Sequence, residues 1–469
     1  MSAEAEPLRR RPAGRAEGLR VAVVGGGLAG LAAAAAVRSH GAQVTVFESR
    51  RRCGGRAASF EDPDGLLVDA CQHVAMGCCT NFLDLCRQAG LGEHLRRDRT
   101  LWFIGPDGSR AACNSAKWLP APLHLAPLLL GLPQFTLAEK WSLALGMLRL
   151  ARCADRDDPA GASARAWLAS HGQPARVIDL FWQPVIESAL GESIDLVSVP
   201  AARKVAVDAF LAHRDAADLY VPREPLGTLF GERLVRWLEL GGVAVRTSTP
   251  VTGFDRAADG VVRRVHCGQT SIDVDAVVLA VPWKQAMRLL PDVVPPADER
   301  LAGSPITAVH LWFDRDITDL PHAVLVGRVS QWIFRGDAPG HCQVVISASR
   351  GLLGGDRDLL VKTVAAEVRE VFPAGRAATL REAKVVTDPT AVLSVRPGVE
   401  AARPAAKTNV PNVFLAGDWT ATGWPSTMEG AVRSGRLGAE ALLAWIGRPT
   451  VAIVPDLRRS WLTSLVTGR

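Results

Sequence analysis

The stretch Arg20–Glu48, which reads RVAVVGGGLAGLAAAAAVRSHGAQVTVFE, constrains the fold of this chain more than any other. Its apolar run at residues 21–24 predicts a strand that is buried on both faces of a parallel sheet. The alanine-rich segment that follows predicts a helix, and residues 43–47 predict a second strand. A strand, a glycine-rich turn, a helix and a strand in this order are typical of a dinucleotide-binding α/β domain.

Three glycines between the first strand and the helix meet different steric needs. Gly25 permits a tight turn, Gly27 lets a pyrophosphate approach the backbone, and Gly30 lets the helix pack closely on the strand. The backbone amides of Leu28 and Ala29 open the helix, so its positive end would face the phosphates of a dinucleotide. A plain structural turn is the alternative, and the surrounding strands and helix make it the weaker interpretation.

An acidic residue ends the second strand. Glu48 lies 18 residues after Gly30, about where a carboxylate accepts hydrogen bonds from an adenosine ribose and repels a 2′-phosphate. The next segment, SRRRCGGRAASF, places Gly54 and Gly55 directly before Arg56. Adjacent glycines let the backbone pass close to a cofactor, and guanidinium groups neutralise a diphosphate. A basic surface loop is the alternative, but the position just past the acid favours diphosphate binding.

Length and composition exclude several classes of protein. At 469 residues the chain exceeds what one hydrophobic core usually supports, so at least two domains, or one large α/β body with an inserted layer, are expected. A net charge of +6 without a block of basic and aromatic residues argues against nucleic-acid binding. The nine cysteines have no CxxC or zinc-like spacing, which indicates reduced thiols in a cytoplasmic protein and no metal site. Residues 1–18 are expected to form a disordered extension.

From the two glycine motifs onward, the chain resembles the flavin amine oxidase and phytoene desaturase superfamily, which carries both motifs in this order to hold FAD. The resemblance extends to AGDWTATGWPSTMEGAVRSG near the C-terminal end, where Gly417 and Asp418 precede a helix that starts near Met428. It implies that Asp418 binds the ribityl chain and that the helix start faces the flavin oxygens. It also implies that backbone groups of Val251 read the adenine.

The fold expected from this resemblance is an α/β protein with a Rossmann-like FAD-binding domain of the glutathione-reductase type and an inserted α+β substrate-binding domain. Alternating segments predict the strands outside the first motif. VAVRTSTPVTGFDR is expected to pair with GVVRRVHC, while SPITAVHLWFDRDI and HAVLVGRVSQWIFRG predict a second, antiparallel sheet. The FAD-binding domain is assigned to residues 19–95, 225–300 and 405–446, the substrate domain to residues 96–224 and 301–404, and a C-terminal tail to residues 447–469.

Four strings narrow the resemblance to one branch. QHVAMGCCTNFLDL, LPAPLHLAPLLL, SPITAVHLWFDR and AGDWTATGWPSTMEGAVRSG together are most similar to the hydroxysqualene dehydroxylases, a squalene-forming branch of the superfamily. The chain departs from the branch pattern Asp-x-Gly-Gln-His, because Cys71 replaces the glycine ahead of Gln72 and His73. In the superfamily this segment passes beside the flavin ring. His73 is therefore expected to protonate or bind the substrate hydroxyl, with Gln72 orienting it, and a core histidine is the alternative.

The branch resemblance implies reductive removal of the allylic hydroxyl of hydroxysqualene to give squalene, a hopanoid and triterpene precursor. The visible dinucleotide motif is assigned to FAD, so NAD(P)H would bind transiently as the reductant, or another donor would serve. Two alternatives stay open: a carotenoid-type FAD-dependent desaturase or saturase, and a non-catalytic flavoprotein that scaffolds prenyl-synthase partners. An amine oxidase is disfavoured, because a chain with one tyrosine is poorly suited to build a two-aromatic amine cage.

Residues 110–135 are dense in leucine and proline and almost free of charge. A buried irregular cover on the core and the mouth of a lipophilic tunnel resting on a bilayer are equal alternatives for this segment. No run of about 18 apolar residues occurs, which argues against a transmembrane helix. We expect a cytoplasmic protein that contacts the inner face of a membrane peripherally, takes an apolar isoprenoid substrate and associates with other squalene-pathway enzymes.

Overall fold

The computed structural model describes residues 18–61, 65, 67–153, 161–294, 300–336 and 338–467. The disordered extension expected at the N-terminal end lies outside the described residues, apart from Gly18. None of the described helices is both long enough and apolar enough to cross a membrane.

Helices form where segments rich in leucine and alanine follow a capping residue or a proline. Thr136 and Glu139 form a reciprocal capping box at the start of one of them. Within the described residues, the α-helices are α1 (Leu28–Arg38), α2 (Thr80–Gln88), α3 (Ala126–Leu130), α4 (Leu137–Arg152), α5 (Ala164–Ser170), α6 (Ala175–Val177), α7 (Gln183–Leu190), α8 (Val199–Lys204), α9 (Leu234–Leu240), α10 (Trp283–Leu289), α11 (Arg357–Val371), α12 (Val399–Ala402), α13 (Met428–Trp445) and α14 (Trp461–Thr467). Three π-helical segments accompany them in the same part of the chain, at Ile178–Trp182, Val205–Leu211 and Gly227–Arg233.

Strands form where valine, isoleucine and aromatic residues alternate or run together. In the described part of the chain they are β1 (Arg20–Val24), β2 (Gln43–Phe47), β3 (Ser59–Glu61), β4 (Leu67–Asp69), β5 (Ala75–Met76), β6 (Leu95–Asp98), β7 (Thr100–Ile104), β8 (Arg110–Asn114), β9 (Leu219–Pro222), β10 (Ala244–Arg246), β11 (Val251–Arg256), β12 (Val262–Cys267), β13 (Thr270–Asp273), β14 (Ala276–Leu279), β15 (Gly303–Phe313), β16 (His322–Leu325), β17 (Trp332–Arg335), β18 (His341–Ile346), β19 (Leu380–Leu393) and β20 (Val413–Leu415).

A parallel sheet with the strand order β10-β2-β1-β14-β20 organises the first part of the molecule. Val21 of β1 lies opposite Val44 of β2 and Ala276 of β14. The helices α1 and α13 pack against each other, and a Cβ on Gly435 would lie 2.1 Å from the carbonyl oxygen of Ala29. Because each helix follows a strand of the sheet, both helices begin at its carboxyl edge.

A second sheet has the order β19-β15-β18-β17-β16-β7-β8. Its neighbouring strands are antiparallel except for β16 and β7, which run parallel. Val364, Ala365 and Val368 of α11 pack into the core on one side of it. Helices α4, α5, α7 and α8 contribute to a separate apolar core with β7 and β8. This second sheet thus carries apolar layers that do not belong to the parallel sheet.

The pairing expected for VAVRTSTPVTGFDR is wrong in its first half. β11 pairs with β12, with Phe254 opposite Val265, but β10 joins the edge of the parallel sheet beside β2. Between β10 and β11 the chain turns through Ser248, which has a φ of 51°. Alternating apolar residues suit an edge strand of either sheet, so alternation alone could not decide between the two partners.

The strands of the parallel sheet all lie within residues 19–95, 225–300 and 405–446. The strands of the second sheet all lie within residues 96–224 and 301–404. A smaller sheet pairs β5 with β9 and so joins segments that were assigned to different domains. The domain assignment stays a prediction.

The C-terminal tail packs on the rest of the molecule. Glu440 accepts hydrogen bonds at Oε1 from the backbone amides of Ala452 and Ile453, at 2.6 and 2.9 Å. Arg433 forms an ion pair with Asp456, and α14 then packs against α4. The tail therefore runs from the helices of the parallel sheet to those of the second sheet.

Candidate functional site

The glycines after β1 serve two different purposes. Gly25 has a φ of +110°, and a Cβ on it would lie 2.4 Å from the carbonyl oxygen of Ala280. A Cβ on Gly30 would lie 1.9 Å from the carbonyl oxygen of Gly25. Gly27 has an ordinary φ of −76°, and within the described residues an added Cβ would have one neighbour, the Cα of Gly55 at 3.8 Å. The fold needs Gly25 and Gly30, whereas Gly27 leaves space at the start of α1.

A second glycine loop lies against this turn. The backbone amide of Gly54 donates to the carbonyl oxygen of Gly26 at 2.8 Å. Gly54 and Gly55 have φ values of +113° and +65°. The helix α1 begins at Leu28 without a side-chain cap, so the amides of its first turn have no acceptor within the helix. Backbone without side chains at a helix N-terminus is the surface that a diphosphate requires.

Glu48 is 7% exposed and lies at the carboxyl end of β2. Its Oε2 accepts from the backbone amide of Gly26, and its Oε1 accepts from that of Arg50, both at 2.8 Å. The carbonyl oxygen of Glu48 accepts from the backbone amide of Thr249 at 2.8 Å. Thr249 lies two residues before Val251, the first residue of β11. The carboxylate thus holds the glycine turn in place, a role that the sequence did not indicate.

Arg56 and Asp418 form an ion pair between two distant motifs. The second carboxylate oxygen of Asp418 accepts from the hydroxyl of Ser426. Arg56 also donates from Nη1 to the carbonyl oxygen of Ala391 on β19, at 2.7 Å. Asp418 follows Gly417, which has a φ of +134°, and is itself 6% exposed. A cation suited to a diphosphate and a carboxylate suited to hydroxyl groups are therefore in direct contact.

The helix α13 begins at Met428, as the sequence predicts, and the side chain of Thr427 caps it. Glu429 is fully buried in its first turn. Its carboxylate accepts from the backbone amides of Asn81 and Phe82, at 3.2 and 2.7 Å. Glu429 therefore joins the starts of α13 and α2. Sequence reasoning missed this role of Glu429, because Asn81 and Phe82 lie more than three hundred residues away along the chain.

The segment with Gln72 and His73 follows β4 and contacts the second sheet. The backbone amide of Gln72 donates to Oε1 of Gln343 on β18 at 2.6 Å. His73 donates from Nδ1 to the carbonyl oxygen of Cys71 at 2.8 Å. Cys71 therefore orients the imidazole. The side-chain amide of Gln72 donates to the backbone carbonyl of His73 at 3.4 Å and not to the ring, so the orienting role expected for Gln72 stays a prediction.

His73 is a neutral imidazole at neutral pH. Burial lowers its pKa and the charge of Arg56 adds to that effect, while the hydrogen bond to Cys71 opposes it. Because Nδ1 carries the proton donated to Cys71, Nε2 is the acceptor nitrogen. The ring can therefore accept a hydrogen bond from a hydroxyl group.

Cys71 replaces the branch glycine without backbone strain. Among the described non-glycine residues, a positive φ occurs at Ser248 and Ala348, so Cys71 has an ordinary backbone conformation. Burial, together with the carboxylates of Asp69 and Asp388, raises the pKa of its thiol to about 12. Cys71 is accordingly a protonated, weakly nucleophilic thiol.

A buried chain of polar side chains supports the Gln72 segment. Gln343 donates from Nε2 to Nε2 of His310 at 2.8 Å and to the carbonyl oxygen of Asp69 at 3.3 Å. His310 in turn donates from Nδ1 to Nε2 of His341 at 3.2 Å. His310 on β15 lies directly opposite Gln343 on β18. Sequence reasoning missed both residues, because only the register of two strands brings them together.

The buried His310 ring predicts a pH dependence of stability. Burial, foremost, and the charges of His341 and Lys384 lower its pKa to about 3. The ring titrates at about pH 6.5 in an unfolded chain, so below that pH the unfolded state takes up a proton that the folded state does not. This contribution to stability is complete above about pH 6.5 and is lost as the pH falls towards about 3.

We therefore expect the Tm of the wild type to fall more steeply than that of His310→Gln between about pH 6.5 and pH 4.5. Glutamine keeps a donor and an acceptor at this position but does not titrate. Differential scanning fluorimetry across this range checks the expectation. Parallel curves for the two proteins would show that His310 does not couple protonation to folding.

These parts fit FAD. Two glycine loops leave backbone without side chains at the start of α1. The buried Glu48 lies at one end of this site, and Asp418 lies with the start of α13 at its other end. Their individual contacts with FAD stay predictions. The structure brings the following expected cofactor residues to the carboxyl edge of the parallel sheet: Gly25, Gly27, Leu28, Ala29, Gly30, Glu48, Gly54, Gly55, Arg56, Val251, Gly417, Asp418 and Met428.

Known proteins are similar in sequence to this chain along most of its length. Residues 28–443 match the family described as flavin containing amine oxidoreductase. The chain is 28% identical to the 15-cis-phytoene desaturase of Synechococcus elongatus, over 91% of this chain and 96% of that protein. It is 27% identical to the hydroxysqualene dehydroxylase of Sinorhizobium fredii, over 90% of this chain and 98% of that protein.

Solved structures share its fold. The cyclohexylamine oxidase of Brevibacterium oxydans superposes with a TM-score of 0.66 at 17% identity, over 92% of this chain and 99% of that one. The expected α/β fold, a Rossmann-like FAD-binding domain with an α+β substrate-binding domain, is thereby confirmed. The chain belongs to the flavin containing amine oxidoreductase family and is an FAD-dependent oxidoreductase.

Proposed function

We propose that this oxidoreductase removes the allylic hydroxyl of hydroxysqualene reductively and releases squalene. Similarity to a hydroxysqualene dehydroxylase over nearly the whole chain supports the proposal. The observation that carries it is the neutral imidazole of His73, whose Nε2 can accept a hydrogen bond from a hydroxyl group. The polyene substrate of a desaturase has no hydroxyl for such a group to bind.

The reaction exchanges a C–O bond for a C–H bond, so it consumes one hydride and one proton and releases water. Reduced FAD supplies the hydride when it is bound. The neutral ring of His73 would hold the hydroxyl at Nε2. After Nε2 takes up a proton from solvent, the imidazolium would donate this proton to the leaving oxygen, which departs as water. A lowered pKa makes the imidazolium a stronger acid than an ordinary histidine. The apolar residues Val74, Ala75 and Met76 that follow would help to keep water from the allylic cation.

Replacing His73 tests its role directly. We expect His73→Gln to retain FAD and to lower single-turnover rates about 100-fold or more, the range for loss of a general acid. In the wild type, kcat/KM should rise as the pH falls below about 6.5, because the protonated ring is the proton donor and its pKa is lowered. In the variant this rise should be absent.

Gln72→Ala is the matched control. Its side chain contacts a backbone carbonyl and not the imidazole, so the variant should keep the wild-type pH profile. Unchanged turnover in His73→Gln with FAD fully retained would exclude His73 as the acid.

The deciding experiment mixes purified, FAD-loaded protein with hydroxysqualene and excess dithionite without oxygen, and follows the products by gas chromatography and mass spectrometry. Squalene is the expected product. Phytoene with the oxidised protein tests the desaturase form of the second candidate, which the 28% identity to a phytoene desaturase favours. A product with additional double bonds, and no squalene, would replace our proposal with this one.

Neither product, with FAD firmly bound, would favour a non-catalytic scaffold for prenyl-synthase partners. An amine oxidase gains no support from the geometry, because the single tyrosine of the chain, Tyr220, lies under the guanidinium of Arg97 at 5.8 Å.

We also propose NAD(P)H as the transient reductant of the flavin. The glycine motif of the sequence is accounted for by FAD, so a nicotinamide donor would bind briefly and leave. Anaerobic mixing with NADH or NADPH should bleach the flavin absorbance, and an unbleached flavin would point to another donor. We propose that the protein carries out this reaction in the cytoplasm, beside other squalene-pathway enzymes.

A further inference from the structure

An apolar surface begins at the loop after β8. Residues 118–138 contain no Asp, Glu, Lys or Arg. Trp118, Leu123 and Leu130 in this segment are 81%, 49% and 62% exposed. The leucine- and proline-rich segment is therefore not a buried cover along its whole length. Large apolar side chains exposed together mark a surface that binds something other than water.

The helix α4 extends the same surface. Leu137, Trp141 and Leu145 recur at every fourth residue and are 72%, 71% and 45% exposed. The amino group of Lys140 donates to the carbonyl oxygen of Leu130 at 2.6 Å, which holds α4 against α3. The opposite face of α4 packs into the core. This helix is apolar on both faces, whereas the outer face of a surface helix is usually polar.

The C-terminal helix α14 completes the surface. Trp461 and Leu465, four residues apart, are 72% and 71% exposed. The hydroxyl of Ser460 donates to the carbonyl oxygen of Ala121, so α14 starts beside the leucine- and proline-rich segment. Arg152 of α4 donates from Nε to a backbone carbonyl near the end of α14 at 2.7 Å. Residues 118–145 and α14, more than three hundred positions apart in sequence, thus form one apolar surface.

Positive charge flanks this apolar surface. Arg149 and Arg152 are exposed at the end of α4, and Arg458 is exposed just before α14. The acid of α4, Glu139, is paired with Arg176, and the sequence of α14 contains no charged residue. Within the described part of the chain, these arginines therefore favour anions beside the apolar surface.

We propose that the apolar surface docks the protein on an anionic lipid bilayer. Trp118, Trp141 and Trp461 would lie at the level of the headgroups, with the leucines entering the boundary of the acyl chains. The arginines would meet lipid phosphates, which distinguishes this partner from an uncharged apolar protein face. Docking needs only the exposed apolar side chains and the arginines beside them, so it does not depend on the proposed reaction.

Vesicle co-sedimentation tests the docking. The wild type should pellet with vesicles of phosphatidylcholine containing about 30% phosphatidylglycerol. Trp141→Glu with Trp461→Glu should lower the bound fraction at least about tenfold, because two charges would enter the apolar boundary. Leu240→Glu is the matched control, since Leu240 is 80% exposed on α9, outside the apolar surface, and should leave binding unchanged. All these positions are exposed, so each variant should keep the wild-type Tm.

Charge is tested separately from apolar contact. Arg149→Gln and Arg458→Gln should each weaken binding to the anionic vesicles about fivefold and leave binding to pure phosphatidylcholine unchanged. A wild type that does not pellet, or a double tryptophan variant that pellets equally, would overturn the proposal. So would a dimer, seen by light scattering, that the tryptophan substitutions dissociate in the absence of vesicle binding.

The docking and the reaction fail independently. The double tryptophan variant should convert hydroxysqualene dispersed in detergent as the wild type does. If neither protein forms squalene in detergent while the wild type still pellets with vesicles, the proposed reaction is refuted and the docking stands.

Discussion

Gly27→Ala should fold like the wild type and bind FAD about tenfold more weakly or worse, a difference of about 1.4 kcal/mol. The backbone at Gly27 has φ −76° and ψ 174°, which alanine adopts without strain. Among the described residues, the atom nearest to the added Cβ is the Cα of Gly55, at 3.8 Å. The methyl group would instead occupy the space at the start of α1 where a diphosphate must approach the amides.

Two further glycine substitutions separate binding from folding. Gly92→Ala should change neither FAD affinity nor Tm, because an added Cβ has no neighbour within 4 Å among the described residues. Gly30→Ala should fail to fold stably, because its Cβ would lie 1.9 Å from the carbonyl oxygen of Gly25. FAD titration by fluorescence quenching and thermal melts measure both properties. An unchanged FAD affinity in Gly27→Ala would show that the diphosphate does not bind at this turn.

Glu429→Ala should lower the free energy of unfolding by about 3–5 kcal/mol, the cost of removing one partner from a buried ion pair. Glu429 is fully buried and accepts from Nε of Arg433 at 2.7 Å, as well as from the amide of Phe82 at 2.7 Å. Its loss would leave a buried guanidinium with less compensation and the first turn of α2 without its acceptor. Urea denaturation of the FAD-free protein measures the change.

The controls use the same residue type. Glu429→Gln keeps an acceptor oxygen and the side-chain volume, so its effect should be intermediate. Glu93→Ala removes a carboxylate whose side chain is 82% exposed and should change stability by no more than about 0.5 kcal/mol. A loss below about 1 kcal/mol in Glu429→Ala would mean that Arg433 and α2 find other partners.

Local steric needs made the first part of the site predictable from sequence. Gly25 and Gly30 are required by contacts within the β1–α1 turn and with the neighbouring strand, so a glycine pattern at short spacing identifies them. The helix α4 likewise depends on local signals, because its leucines lie within it and the capping box of Thr136 and Glu139 lies at its start.

Contacts between distant segments were not predictable in the same way. The bond from Gln343 to His310 depends on the register of β18 against β15, and the bonds of Glu429 depend on how α13 meets α2. The edge position of β10 depends on its pairing with β2, which its alternating residues do not determine. The seven residues of α14 are too few for a periodic pattern, and its position follows from contacts with Ala121 and α4.

The close approach of α1 and α13 at Gly435 and Ala29 fixes the distance between two helix starts. In the binding mode expected for FAD, the start of α1 would face the diphosphate and the start of α13 the isoalloxazine ring, so neither helix could shift alone. The packing of α1 against α13 would therefore set the length of the site. FMN, which lacks the adenylate half, would fill only part of a site of this length, and selectivity between the flavins would then depend on helix packing as well as on single side chains.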